Sequence, residues 1–271
     1  MRELYIFVTT DRPDQYLNPV VHCIEEGVRK VVFVQVEDPR IIQIQLNLLI
    51  TNVRNLIKDL STGFYKYYTE PFEGTVVKLE PEYNPSMLAK LQARYSLCLT
   101  DNVVWEFKRV SYLSLRTYIS AISQRKDIAV DITAVTKTYV GDLFACCLLE
   151  GIDKLYTFEV KPNFKKPWKT LIHDLEKINV YEEGRTYEEG KTYRYVNLVE
   201  TPIFKDSSRS ILIRTTPLLI SVVGTSLFLT IAFVTAFIFG FNSIIIQVMG
   251  MVGTVLGITS FFLVYFPLRT K

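Results

Sequence analysis

The chain has 271 residues, 49% of them hydrophobic, and a formal net charge of +3. Arg269 and Lys271 are the only charged residues beyond Thr216, so the first 216 residues carry 29 basic against 28 acidic side chains. That even balance argues against a general surface for duplex nucleic acid, which needs a basic excess, and leaves room only for a small basic pocket.

In chain order, Leu4-Tyr5-Ile6-Phe7-Val8 is a continuous apolar, β-rich run that predicts a strand buried on both faces. The N-terminal residues lack the apolar core and cleavage site of a signal peptide. A polar loop, Thr9-Thr10-Asp11-Arg12-Pro13, follows the run, and Asn18-Pro19 reads as the start of a helix that closes at Gly27. Val31–Val36 is a second buried strand, which makes a β-loop-α-β unit with an expected parallel pair. An amphipathic helix is predicted over Ile41–Leu60, a strand over Thr75–Leu79, and a helix over Pro85–Leu99 started by Asn84-Pro85. A short strand at Trp105–Val110 and a helix at Tyr112–Gln124 follow. Ile128–Ile132, the loop Thr133–Thr138, a helix from about Tyr139 to Glu150 capped by Gly151, and Leu155–Val160 repeat the β-loop-α-β pattern. The fold class is therefore α/β, a Rossmann-like, mostly parallel sheet with flanking helices over residues 1–160.

Residues 161–210 read as an α/β extension and linker. Lys161, Lys165, Lys166 and Lys169 around Trp168 form a basic patch that reads as a solvated helix start. The near-duplicate Tyr181–Thr186 and Tyr187–Thr192 reads as a loop or hairpin before a strand at Tyr193–Val199. From Thr215 to Leu268 there is no Asp, Glu, Lys, Arg or His, and the run divides at Gly240–Ser243 into Pro217–Phe239 and Ile244–Tyr265. Each segment would span roughly 33 Å as a helix, which predicts a transmembrane hairpin within residues 215–267. Arg209, Arg214, Arg269 and Lys271 flank it and nothing charged lies in the turn, so both ends are expected on the cytoplasmic side with the Asn242 turn opposite. On a helical wheel Gln247, Gly250, Gly253, Thr254 and Gly257 share an arc of about 140° with Ser243 and Ser260. That stripe either packs helix against helix or, in an oligomer, lines a polar path with Gln247 foremost.

The chemistry-bearing residues are few. Cys23, Cys98, Cys146 and Cys147 show no metal-ligand spacing and, with only His22 and His173 present, no metal or other cofactor is expected. Both histidines read as residues of the surface or core edge, and no nucleophile–base arrangement stands out, so no catalytic residue is assigned. Two polar loops leave strands and enter helices: Thr9, Thr10, Asp11 and Arg12, and then Thr133, Thr136, Lys137 and Thr138. Helix N-termini with hydroxyl donors and an ammonium suit a phosphate, although Thr133 and Thr138 could simply cap the helix with Lys137 solvated. Neither loop is a Walker A or Gly-x-Gly-x-x-Gly motif.

Asp131-Ile132-Thr133-Ala134-Val135-Thr136-Lys137, then a helix, Gly151 and the strand Leu155–Phe158, resembles the signature of CARF domains (CRISPR-associated Rossmann fold). The family form has two glycines where Ala134 and Val135 stand. The opening from Tyr5 to Val36 is similar to the first unit of that family, and the resemblance covers about Arg2–Val160. It implies a homodimer or higher homo-oligomer that binds a nucleotide second messenger, a cyclic oligonucleotide and typically a cyclic oligoadenylate. Thr9, Thr10 and Asp11 would contact it from one loop, and Thr133, Thr136 and Lys137 from the other. The hairpin occupies the place of the family's effector, which implies a prokaryotic antiviral effector of the inner membrane. A membrane-anchored ring nuclease that cleaves the messenger, or a scaffold for a protein partner, is the alternative.

Overall fold

The computed structural model describes residues 2–40, 42–68, 70–100, 102–160, 166–178, 191–201, 215–240 and 244–265. The chain divides into two compact units, Met1–Thr201 and Pro202–Lys271.

The first unit is built on strands β1 (Arg2–Val8), β2 (Val28–Glu37), β5 (Val104–Ser111), β6 (Ile128–Asp131), β7 (Leu155–Val160), β8 (Glu176–Lys177) and β9 (Thr192–Asn197). They form one sheet in the order β5-β2-β1-β6-β7-β9-β8. The first five run parallel, β9 runs antiparallel to β7, and β8 is parallel to β9. Helices α1 (Asp14–Glu25), α2 (Leu46–Ser61) and α3 (Pro85–Leu97) belong with one core, and α4 (Leu115–Ser123) and α5 (Lys137–Leu149) with the other. The apolar strands serve both cores, because successive side chains point to opposite faces. Leu4, Ile6 and Val8 enter the first core, and Tyr5 and Phe7 the second. Each such side chain contributes about 1.5–3 kcal/mol when fully buried. Strands β3 (Phe64–Lys66) and β4 (Val76–Lys78) form a separate antiparallel pair.

Most predicted elements are present, with differences at their ends: α5 begins at Lys137 rather than about Tyr139, so Lys137 and Thr138 lie in its first turn, and the last strand ends at Asn197 rather than Val199. Helix α1 starts at Asp14 rather than at Asn18-Pro19, and Pro19 lies inside it. Asn18 is not a cap: its buried side chain donates to Thr170 O (3.0 Å) and accepts from Ile172 N (2.9 Å). Helix α2 starts at Leu46, not Ile41, because the carbonyls of Ile42 and Ile44 accept from the side chains of Gln35 (3.1 Å) and Arg109 (3.2 Å) instead of from a helical turn. Tyr112–Ser114 is a 3₁₀ turn ahead of α4. The sheet continues past residue 160, where the sequence places a boundary, through β9 and β8. Gly27 and Gly151, at φ +93° and +74°, close α1 and α5 as expected, in a region that side chains rarely adopt. Asn84 caps α3 by accepting from Met87 N at 2.8 Å. Of the basic patch, Lys166 pairs with Glu82 and Lys169 with Asp174, flanking the buried Trp168; Lys161 and Lys165 lie outside the described residues, as do Tyr181–Gly190.

The second unit has two helices, α6 (Thr215–Phe239) and α7 (Ile244–Tyr265), about 37 and 33 Å long at 1.5 Å per residue. They pack on each other through Phe228, whose ring carbon lies 2.8 Å from where a Cβ on Gly253 would stand. Gly250 and Gly257 meet nothing within 4 Å. Gly253 is therefore part of the contact within the hairpin, while Gln247, Gly250, Thr254 and Gly257 face outward. Side chains are described without interruption only over residues 223–238, so among the described residues no helix is long and apolar enough to cross a membrane. The turn around Asn242 lies outside them.

Two outcomes follow. Asn18→Ala leaves Ile172 N and Thr170 O unpaired in a buried setting, so urea unfolding should show a loss of about 1–3 kcal/mol. Gly253→Leu drives a side chain into the Phe228 ring and should lower the unfolding temperature of the helical hairpin in detergent. Gly257→Leu, with open space around it, should not.

Candidate functional site

Strands β1 and β6 are parallel neighbours at the middle of the sheet, and the chain leaves them in opposite directions. From β1 it runs through α1 to β2, and from β6 through α5 to β7. A crevice outside the carboxyl ends of such strands is the place where open α/β sheets take ligands. The two polar loops of the sequence lie there. One side chain ties them together: the Thr9 hydroxyl donates to Ala134 O (2.9 Å) and accepts from Thr136 N (2.9 Å).

The remaining predicted residues divide into those held internally and those left open. Thr10 Oγ1 accepts from Arg12 N (3.2 Å), and its carbonyl accepts from the buried Tyr16 hydroxyl (2.6 Å). The Arg12 guanidinium is paired with Asp14 at 2.8 Å. Thr133 lies half-buried with its hydroxyl engaged on both sides. Its hydroxyl donates to Asp131 Oδ2 (2.9 Å) and accepts from Phe158 N (2.8 Å). Asp11, Thr136, Lys137 and Thr138 are exposed. The N-cap of α5 is Thr136, without a capping hydrogen bond from its side chain, and Thr133, one of the two caps the sequence offers, has its hydroxyl on Asp131 and Phe158 N instead.

Asp131 has no solvent exposure. Its carboxylate accepts from Thr133 N (3.0 Å), the Thr133 hydroxyl and the Tyr195 hydroxyl (3.0 Å). Burial pushes its pKa up to about 6, while those three donors oppose the rise. Tyr195, stacked on Tyr156 with ring centroids 4.7 Å apart, is a supporting residue that the sequence does not point to. It comes from β9, and only the alternation of Tyr193 and Tyr195 along that strand hints at a shared face.

Two clefts flank the first loop. A cavity of about 620 Å³ lies between Thr9–Pro13, the 42–45 segment, Asn52, Tyr68 and Glu73. A second, of about 310 Å³, lies between Arg12, Asn18, Tyr65, Thr133, Phe158 and Thr170. Arg12 borders both. Gln43, Gln45 and Asn52 are absent from the sequence-based set, because nothing local marks an amide as lining a cleft. At the same end of the sheet Arg40 lies over the rings of Tyr112 and Tyr139, at 5.2 and 5.3 Å. No histidine or cysteine borders either cleft. Among the described residues no group of His, Cys, Asp and Glu is set to hold a metal ion. The arrangement offers hydrogen bonds, one open ammonium and a helix N-terminus, which is binding chemistry.

No family model, curated protein or solved structure matches this chain.

His22 and His173 are core residues away from both clefts. The His173 ring is bonded to Tyr95 (2.8 Å) and Tyr83 (3.1 Å), and His22 packs on Tyr195. Burial lowers the pKa of His173 to about 3 and that of His22 to about 4. The unfolded chain takes up these protons first as pH falls below 6.5, so stability is lost from there downward. Asp131 acts in the opposite sense: raised from 3.8 to about 6, it makes the native state the better proton binder between those values. Stability from that group therefore falls as pH rises through the window and is level above it. Two histidines outweigh one carboxyl, so denaturant unfolding at pH 5 should show stability lower than at pH 7 by about 2–3 kcal/mol. Asp131→Asn should steepen that decline.

Proposed function

We propose that the chain is a membrane-bound prokaryotic antiviral effector that senses a cyclic oligonucleotide, of the cyclic oligoadenylate type, at the β1/β6 switch point. The observation that carries this reading is the Thr9 bridge. It joins the two polar loops into one floor beside the exposed Lys137 and the start of α5. A phosphodiester placed there meets an ammonium and the N-terminal amides of α5, both of which favour an anion. The resemblance of Asp131–Lys137 to the CARF signature supports the same ligand class, and with it a ligand shared by two copies of the chain. In that reading Thr133 positions the loop through Asp131, and Lys137, Thr136, Thr138 and Asp11 meet the ligand.

Helices α6 and α7 are the membrane-disrupting part in this reading. Their sequence holds no charged residue, and basic residues flank both ends, so both flanks face the cytoplasm of the cell membrane. The hydroxyls of Thr230, Thr235 and Thr254 each donate to the carbonyl four residues back, at 2.8–2.9 Å, which satisfies them within apolar surroundings. Ligand binding acts on the hairpins by favouring one of two arrangements of the assembly, and so requires unequal affinity for the two.

Calorimetric titration of the full chain in detergent with cyclic di-, tri-, tetra- and hexanucleotides tests this. One ring should bind tightly at one per two chains, and Lys137→Ala should weaken it about tenfold or more, the loss of one charge-assisted contact. The same ring should release dye from liposomes that carry the protein. Silence across the whole panel would overturn the reading, and turnover of the bound ring would recast the chain as a ring nuclease.

A further inference from the structure

We infer that the cleft of about 620 Å³ takes the uncharged nucleoside part of the ligand, and that its amide side chains set the base preference. The inference rests on the nucleotide-sensing reading above and adds a division of labour within that site.

Charge is the first argument. Asp11 and Glu73 border the cleft, and its one bordering guanidinium, Arg12, is held by Asp14. The Lys66 ammonium lies 5.7 Å over the Tyr68 ring and is not on the cleft wall. The Arg109 guanidinium behind the wall is likewise engaged, by Ile44 O at 3.2 Å, so the cleft lining offers two carboxylates and no unpaired cation, which suits the hydroxyls of a ribose better than a phosphate. Lys137 and the start of α5 sit beyond Thr9, which lines the cleft and whose hydroxyl accepts from Thr136 N at 2.9 Å. Phosphate and nucleoside thus have adjoining places separated by one residue.

Shape and hydrogen bonding are the second. The volume falls within the range of about 300–1,000 Å³ found for small-molecule sites. Gln43, Gln45 and Asn52 line the cleft, and an amide side chain carries both donors and an acceptor, the pairing that base edges need. Tyr68 offers an aromatic surface for stacking. The 42–45 wall is fixed from below, since the buried Gln35 side chain donates to Ile42 O at 3.1 Å. The Tyr68 hydroxyl is bonded to the backbone carbonyl of Asn52, so truncation of the Asn52 side chain leaves that tie in place.

The test compares the full chain in detergent with the double variant Gln45→Ala/Asn52→Ala and with Lys137→Ala. Each is titrated with cyclic triadenylate and tetraadenylate and with their all-uridine counterparts, and folding is checked by circular dichroism. The double variant should lose at least tenfold in affinity for the preferred ring and discriminate less between bases. Lys137→Ala should weaken all the rings by a similar factor. A folded double variant with unchanged affinity and base preference would overturn the inference and leave the sensing reading intact. If the unsubstituted chain binds none of the rings, both fall together.

Discussion

A carboxylate with no access to water has to be supplied with donors, and Asp131 at the end of β6 imposes that demand on everything around it. Thr133 answers with its backbone N–H and its hydroxyl, and Tyr195 with its phenol. The Thr133 hydroxyl also accepts from Phe158 N, which ties the loop after β6 to the next strand. Tyr195 belongs to β9, so the antiparallel edge of the sheet is drawn into the same network. Removal of any one donor leaves the buried carboxylate short of a partner and pushes its pKa further up.

With the second loop held from below, the first is held from the side. Thr9 spends its hydroxyl on Ala134 O and Thr136 N, and Thr10 and Tyr16 hold the turn that follows. The side chains most fully engaged in hydrogen bonds within the protein are therefore the least available to a ligand. The ones at the rim, Asp11, Lys137 and Thr138, are exposed. The bonded floor is ordered in advance, and only the exposed rim side chains would still have to be ordered by the ligand proposed for it.

The hairpin follows a different rule. Phe228 packs where Gly253 has no side chain, so that glycine permits close approach of the two helices. Gly250 and Gly257 lie on the same helix with no such neighbour. The polar and small stripe of the second helix is thus divided between a face turned to its own partner and a face turned outward.

Much of the fold was legible in the sequence, because long-wave patterning is local. Leu4–Val8, Val31–Val36 and Ile128–Ile132 read as strands from their apolar runs, and Gly27 and Gly151 as helix ends from their backbone freedom. The two uncharged helices announce themselves by composition. The two loops at the switch point were legible too, as polar breaks between a strand and a helix. Tertiary structure decided the rest. Asn18 looks like a helix start, yet it is a buried tether to residues 170–172, because a distant segment supplies its partners. Nothing local in the sequence joins Thr133 and Tyr195, yet both hydroxyls bond Asp131. The amides of Gln43, Gln45 and Asn52 meet at one cleft only because α2 and the segment before it fold back beside the first loop. Sequence by itself determined which stretches are strands, helices and breaks, since neighbouring residues fix that pattern. Which polar groups are used up inside and which remain free depends on contacts between residues far apart in the chain, and only the folded structure brings those together.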